Sequence, residues 1–271
     1  MPHTIILAHG VLGFGSLTDF PGPIEYFNGV AGHLRNHGHE VFAPQVNPIG
    51  SVIEHGQQLA DFIQQNVPSG RKVHVIAHSM GGLDARHAIT NIFKEPMPIV
   101  TLATIGTPHL GSPVADAIFE GSGPIFDEIP KWIRTQLGQK TPALQDLTTK
   151  VCQRFDLATQ DIEGVDYFEI AGDARKAKHE LFLFSLAAAI GRIADPVNDG
   201  VVTKLSALRQ RTDGKTSRLT PAQQVSDWPT DHAGEVGWTP AWPLPILLQP
   251  PDILAPPHYA LYDQLIAKFR L

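Results

Sequence analysis

Residues 77–82 read Ala77-His78-Ser79-Met80-Gly81-Gly82, preceded by an apolar run from Lys72 to Ala77 and followed by a helix-like stretch from Gly82 to Ile92. A serine at a strand-to-helix junction, with small residues two places before and after it, is the nucleophile-elbow pattern. Such a turn is very tight. Ser79 is expected to take a strained backbone conformation that lifts its hydroxyl above the sheet, and positions 77 and 81 must be small because the following helix passes close to the strand. Alanine stands where the G-x-S-x-G form has its first glycine, which keeps the steric logic. A serine that merely caps a helix would show similar neighbours, but the strand before it and the helix after it favour the elbow.

Upstream of the elbow, Thr4 to Ala8 is a short apolar run ending in His9-Gly10, a buried strand entering a glycine-punctuated loop. Ile24 to Asn36 reads as a helix, Glu40 to Ala43 as a short strand, and Ile53 to Gln65 as an amphipathic helix with apolar residues at 53, 59, 60, 62 and 63. Downstream, Ile99 to Ile105 and Tyr167 to Ala171 are further strands. Strands alternating with helices predict an α/β architecture, a mostly parallel sheet covered by helices on both faces. Ala115 to Phe119, Glu128 to Leu137 and Ala143 to Phe155 can each be helical between those last two strands, and an apolar helix, Glu180 to Ile193, follows the second. These stretches predict a helical cap or lid inserted at about 113–195 into a single domain, 1–271. The segment from Pro240 to Pro257 is too proline-rich for regular structure, and a last helix runs from Pro257 or His258 to Arg270.

The chain has 271 residues, 42% of them hydrophobic and 18% charged, enough to bury a sizeable core without covalent staples. A net charge of −6 argues against nucleic acid as a partner. The single cysteine, Cys152, excludes an intramolecular disulfide and any cysteine-rich metal site. Leu181 to Ile190, the longest apolar stretch, is about half a membrane span, so no transmembrane segment is expected. Met1-Pro2-His3 runs straight into the first strand without the features of a signal peptide. As written the chain reads as cytoplasmic, or as secreted if a leader has been trimmed or a leaderless route is used.

A serine hydroxyl needs a base to take its proton and a carboxylate to orient that base. After such an elbow the chain order is serine, then Asp or Glu, then His. Eight of the thirteen histidines precede Ser79 and drop out, and His87 lies on the elbow helix. His109, His179, His232 and His258 remain. His109, in Gly106-Thr107-Pro108-His109-Leu110-Gly111-Ser112, precedes any plausible acid and reads as a loop beside the pocket. His258 reads as a capping or surface residue. For the acid, Asp199 in Asn198-Asp199-Gly200-Val201-Val202 competes with Asp173, which closes a strand in Ala171-Gly172-Asp173, and with Asp195. Acyl transfer also needs backbone amides aimed at the oxyanion. The elbow pattern takes one from the residue after the nucleophile, Met80, and one from the early loop His9-Gly10-Val11-Leu12-Gly13-Phe14. His33 and His37 form an i, i+4 pair near His39, but nothing completes a ligand set, and a solvated face is expected. His74 and His78 flank one strand, where hydrogen bonds should satisfy them.

Taken together, the chain resembles the bacterial true lipases, triacylglycerol lipases of the α/β-hydrolase fold. Ile6-Leu7-Ala8-His9-Gly10-Val11-Leu12-Gly13-Phe14, Val75-Ile76-Ala77-His78-Ser79-Met80-Gly81-Gly82 and the 106–112 loop carry the resemblance, with Asn198-Asp199-Gly200-Val201-Val202 and Asp231-His232-Ala233-Gly234-Glu235-Val236 as later islands. It implies Ser79 as nucleophile, Asp199 as acid, His232 as base, and the Val11 and Met80 amides as oxyanion donors. It also implies a lid within 113–150. Phe119, Ile125, Phe126, Ile129 and Trp132, together with Leu12, Phe14, His109 and Leu110, would then line an acyl site. The expected partner is an acyl ester, presented alone or at a lipid–water interface, and the expected state is a monomer. No cofactor is required. Family members often hold a calcium ion with an aspartate two residues after the catalytic histidine; Gly234 stands there, so one hard oxygen ligand is missing. Another ester or acyl acceptor on the same machinery, such as a polyhydroxyalkanoate, a non-catalytic binding protein and a metal hydrolase built on the early histidines are the alternatives.

Overall fold

Alternation along the first strand sets the layers. In β1 (Thr4–Ala8), Ile5 and Leu7 pack with Val30 and Leu34 on one side of the sheet, while Ile6 and Ala8 pack with Leu59 and Ile63 on the other. A strand buried on both faces must lie inside a sheet covered twice over. The computed structural model describes residues 2–11, 25–94, 96–137, 141–177, 183–213, 215, 218, 223–238 and 257–270. Within them, six parallel strands run in the order β2-β1-β3-β4-β5-β6: Glu40–Phe42, Thr4–Ala8, Val73–His78, Ile99–Ile105, Asp166–Ile170 and Gln223–Gln224. Helices α1 (Val30–Asn36) and α10 (Pro257–Ile266) cover one face, and α2 (Val52–Asn66) and α3 (Gly81–His87) the other. No helix among the described residues is long and apolar enough to cross a membrane.

Strand register positions the site. Ala8 pairs with Ala77, His78 with Ile105, and Ile105 with Ile170. The carboxyl ends of β1, β3, β4 and β5 therefore finish level, and the residues that follow them emerge along one edge, where ligands of open parallel sheets bind.

The expected helix from Gly82 to Ile92 forms as α3 followed by a wider π turn over Ala88–Ile92. That from Ile24 to Asn36 shortens to α1, with 25–29 in turns and Ile24 outside the described residues. The expected helix from Ala143 to Phe155 is instead two, α6 (Pro142–Asp146) and α7 (Thr149–Ala158). Asp116 explains the break: its carboxylate accepts from the Thr149 amide at 2.8 Å and from the Thr149 hydroxyl, holding the start of α7 in place. Asp116 belongs to α4 (Pro113–Glu120), which Ser112 caps by accepting from the amides of Val114 and Ala115. Glu128 to Leu137 divides into a 3-10 turn at 126–128 and α5 (Lys131–Leu137). After β5 come α8 (Phe184–Ile193) and α9 (Lys204–Ala207). Residues of α4, α6 and α8 pack with Met80 and Leu83 in one apolar cluster, so these helices sit against the elbow. Residues 178–182 lie outside the described part, as does 239–256, nearly all of the Pro240–Pro257 segment.

Beneath the elbow helix lies a buried charged network. Arg86 bonds to Asp156 at 3.1 Å and to the Thr159 carbonyl at 2.6 Å, and Arg209 reaches Asp156, Asp161 and Glu169. All five charged side chains are nearly or fully buried.

Candidate active site

Ser79 has φ 55, the left-handed region that a serine rarely adopts. Its amide donates to the Ile105 carbonyl at 2.9 Å, fixing the turn to the end of β4. Small neighbours are required for the reason expected: a Cβ on Gly81 would lie 2.5 Å from the Ala8 carbonyl oxygen. Gly10 presses on the nucleophile from the other side, since a Cβ there would lie 2.7 Å from the Ser79 Cβ and 3.1 Å from its Oγ. The loop at Gly10 is steadied by His9, whose Nδ1–H donates to the Gly10 carbonyl at 2.8 Å while Nε2 accepts from the Val46 amide at 3.1 Å. Val11 is half-buried against the cluster that holds Met80, and Met80 opens α3 in helical geometry.

His232 sits beside the end of β4, since a Cβ on Gly106 would lie 2.9 Å from its Nδ1. Its Nδ1–H donates to Asp199 Oδ2 at 2.8 Å, and its amide donates to the Asp199 carbonyl at 2.9 Å. The Asp199 carboxylate is 1% exposed and accepts in addition from the amides of Val201 and Val202 at 2.8 and 2.6 Å. Three donors on one buried carboxylate hold it ready to orient an imidazole. Asp173 is engaged elsewhere: Arg175 and Lys176 take both of its oxygens, and those contacts outweigh burial to hold its pKa below the usual carboxylate value. Asp195 accepts from the Val197 and Leu205 amides. His258, expected as a capping or surface residue, stands in the first turn of α10 but is not at the surface. It is 6% exposed and donates from Nε2 to the Asn28 carbonyl at 3.0 Å, and burial lowers its pKa to about 4. His179 lies outside the described residues.

Of the proposed acyl-site residues, Phe119, Ile125, Phe126 and Ile129 join the Met80 cluster. His109 is taken up by the charged network: Arg86 donates to its Nδ1 at 3.2 Å, and its Nε2–H faces Thr104 Oγ1 at 3.0 Å. Leu110 is half-buried, its amide bonded to Ser206 Oγ at 3.0 Å. Leu12, Phe14 and the side chain of Trp132 lie outside the described residues.

Glu235 joins the site without any sequence pattern that singles it out. Fully buried three residues after His232, its Oε2 lies 3.0 Å from His78 Nε2 and 3.5 Å from His232 Nδ1. Burial, reinforced by the carboxylates of Asp199 and Asp231, pushes its pKa well above the usual range. His78, His232 and Glu235 are close enough together to hold a metal ion, yet their hydrogen bonds already account for the proximity. At Gly234, where an aspartate would have been a calcium ligand, the amide donates to Asp231 Oδ1 at 2.8 Å, and Asp231 Oδ2 accepts from the Leu183 amide. The early histidines are likewise occupied: His33 Nε2 meets Asp263 at 2.8 Å, His37 Nδ1 donates to the His33 carbonyl, and His39 Nδ1 accepts from the His3 amide.

A parallel sheet whose level strand ends present a strained serine, with a histidine loop arriving late in the chain, is the arrangement of the α/β-hydrolase fold, and this chain has that fold. Residues 33–155 match the family described as PGAP1-like alpha/beta domain. In sequence the chain is similar to triacylglycerol lipases. It is 31% identical over 186 residues to triacylglycerol lipase 2 of Saccharomyces cerevisiae, an alignment covering 66% of this chain and 56% of that protein. With the triacylglycerol lipase of Pseudarthrobacter phenanthrenivorans it shares 32% identity over 122 residues, 43% of this chain and 36% of that one. The chain thus spans only part of the curated relatives it matches, just over half of the first and about a third of the second. Among solved structures, Bacillus licheniformis lipase BlEst2 in mature form superposes with a TM-score of 0.65 over 87% of this chain and 86% of that one, at 23% identity. Lipase 1 from Pelosinus fermentans does so at 0.63 over 99% of both chains, at 16% identity. At those identities the likeness is one of fold.

Proposed function

We propose that the protein is a carboxylic-ester hydrolase working through an acyl-enzyme. The observation that carries the reading is the His232–Asp199 pair, a half-buried imidazole hydrogen bonded at 2.8 Å to a buried carboxylate beside the strand end that anchors Ser79. In this mechanism Ser79 Oγ attacks the ester carbonyl as His232 takes its proton, and Asp199 stabilises the imidazolium that forms. The amides of Val11 and Met80 receive the oxyanion, and losing one such donor costs about 10²–10³ in rate. His232 then returns the proton to the leaving alcohol, and water repeats the sequence on the acyl-enzyme. None of these steps calls for a cofactor. The similarity to triacylglycerol lipases supports a fatty-acyl ester as substrate, with Phe119, Ile125, Phe126 and Ile129 on the acyl side and α4 to α6 as a lid.

The test is hydrolysis of p-nitrophenyl esters from acetate to palmitate by wild type and Ser79→Ala, with and without chelator. Activity that vanishes in the variant and ignores chelator supports the reading, and the chain-length profile separates esterase from lipase. Activity that survives in Ser79→Ala overturns it. Loss to chelator moves the chemistry to the His78–His232–Glu235 cluster.

A further inference from the structure

Behind His232 runs a line of buried polar groups with no part in the mechanism above. Tyr26 Oη lies 2.7 Å from His78 Nδ1, and His78 Nε2 lies 3.0 Å from Glu235 Oε2, which is 3.5 Å from His232 Nδ1. At the far end the Tyr26 hydroxyl packs against Gly10, where a Cβ would lie 2.9 Å from it. The line joins the loop preceding Val11 to the inner edge of His232, passing behind Ser79 through the residue next to it in sequence.

The backbone is shaped around this carboxyl. A Cβ on Gly106, where φ is 54, would lie 2.1 Å from Glu235 Oε2, and one on Gly172 would lie 2.5 Å from Oε1. The residues just beyond β4 and β5 thus leave room for Glu235. Oε1 is buried and has no hydrogen-bond partner, an arrangement that would be costly for a carboxylate and is far less so for a protonated acid. Charge bears this out. Glu235 stands between the carboxylates of Asp199 and Asp231, and burial holds His78 well below its usual pKa. A neutral imidazole has one donor and one acceptor. With Tyr26 donating to Nδ1, His78 donates from Nε2 to Glu235 Oε2.

We propose that Glu235 is a positioning residue for His232, joined through His78 and Tyr26 to the Gly10–Val11 loop so that base and oxyanion loop are held at a fixed separation across Ser79. The inference rests on the serine-hydrolase reading.

The test is steady-state hydrolysis of p-nitrophenyl butyrate, kcat and KM taken separately, with melting curves as a check on folding. Glu235→Ala is expected to lower kcat by about 10- to 100-fold with KM nearly unchanged, the cost of small misplacements at a reacting centre. Glu235→Gln, which keeps an uncharged acceptor for His78, recovers most of that loss. Tyr26→Phe lowers kcat by less, and Tyr26→Phe/Glu235→Ala is no slower than Glu235→Ala, because both act through one chain. Should Glu235→Ala not fold, Glu235→Asp takes its place: it keeps the acid, withdraws it from His78, and is expected to be at least about tenfold slower. Wild-type kcat in the Ala or Asp variant, Gln as slow as Ala, or effects that multiply in the double variant would overturn the proposal. Ser79→Ala separates the two levels. If it retains turnover, the serine reading fails; if it is inactive while the Glu235 variants are fast, only the positioning chain fails.

Discussion

Ser79 and Gly106 are the two residues on which the geometry turns, both held at positive φ at neighbouring strand ends. Gly106→Ala is expected to cost roughly 2 kcal/mol or more of stability, from backbone strain and from a Cβ forced against Glu235, and to lower kcat as His232 is displaced; urea denaturation beside ester hydrolysis would measure both. Asp199→Asn should lower kcat by about 10²–10⁴-fold by losing the acceptor that orients the base. Asp173→Asn, which disturbs a contact with Arg175 and Lys176, should change it little. The reverse pattern would move the acid to Asp173. Ser79 was legible because an elbow is a local steric pattern. His232 and Asp199 were legible only as candidates of the right order, ranked by family resemblance. Glu235 was quoted in the same short stretch as His232 and still passed over, because a glutamate three residues from a histidine says nothing of burial until β4 and β5 close over it.

Ser112 ties α4 to the loop that carries Asp199. Its hydroxyl donates to the Val201 carbonyl at 2.6 Å while its oxygen accepts from the first turn of α4. Ser112→Ala should therefore cost about 1–2 kcal/mol through the lost cap and the unsatisfied carbonyl, read as a lower denaturation midpoint. Strands β1, β3, β4 and β5 were legible to within a residue because buried parallel strands are short, unbroken apolar runs. The break between α6 and α7 was not, since periodicity carries across Leu147 and the force that interrupts it comes from Asp116, more than thirty residues away in sequence. Strand β6 is two residues long, Gln223 and Gln224, and offers no pattern to read.

Buried charges and histidines make the whole molecule sensitive to acid. Burial, followed by the charges of His3 and His39, lowers the His74 pKa to about 4, and burial lowers that of His258 to about 4. The unfolded chain binds these protons near pH 6.5 and the folded one resists them, so stability falls as pH drops from about 6.5 to about 4. Urea midpoints at pH 7.5, 5.5 and 4.5 should decline in that order, and His258→Gln should flatten the decline. Arg209→Ala should cost on the order of 3–5 kcal/mol by leaving Asp156, Asp161 and Glu169 buried with a missing cation. The way the molecule closes has a further consequence. Asn28 donates to the Gly237 carbonyl and His258 to the Asn28 carbonyl, partners more than two hundred positions apart, and Tyr262 donates to the Glu235 carbonyl, so that these contacts brace the histidine loop. Contacts of such long range form slowly, and a chain emerging from the ribosome can complete them only once α10 has emerged. Newly made protein should therefore acquire reactivity toward a serine-directed fluorophosphonate in one late step, after the sheet is protected from proteolysis.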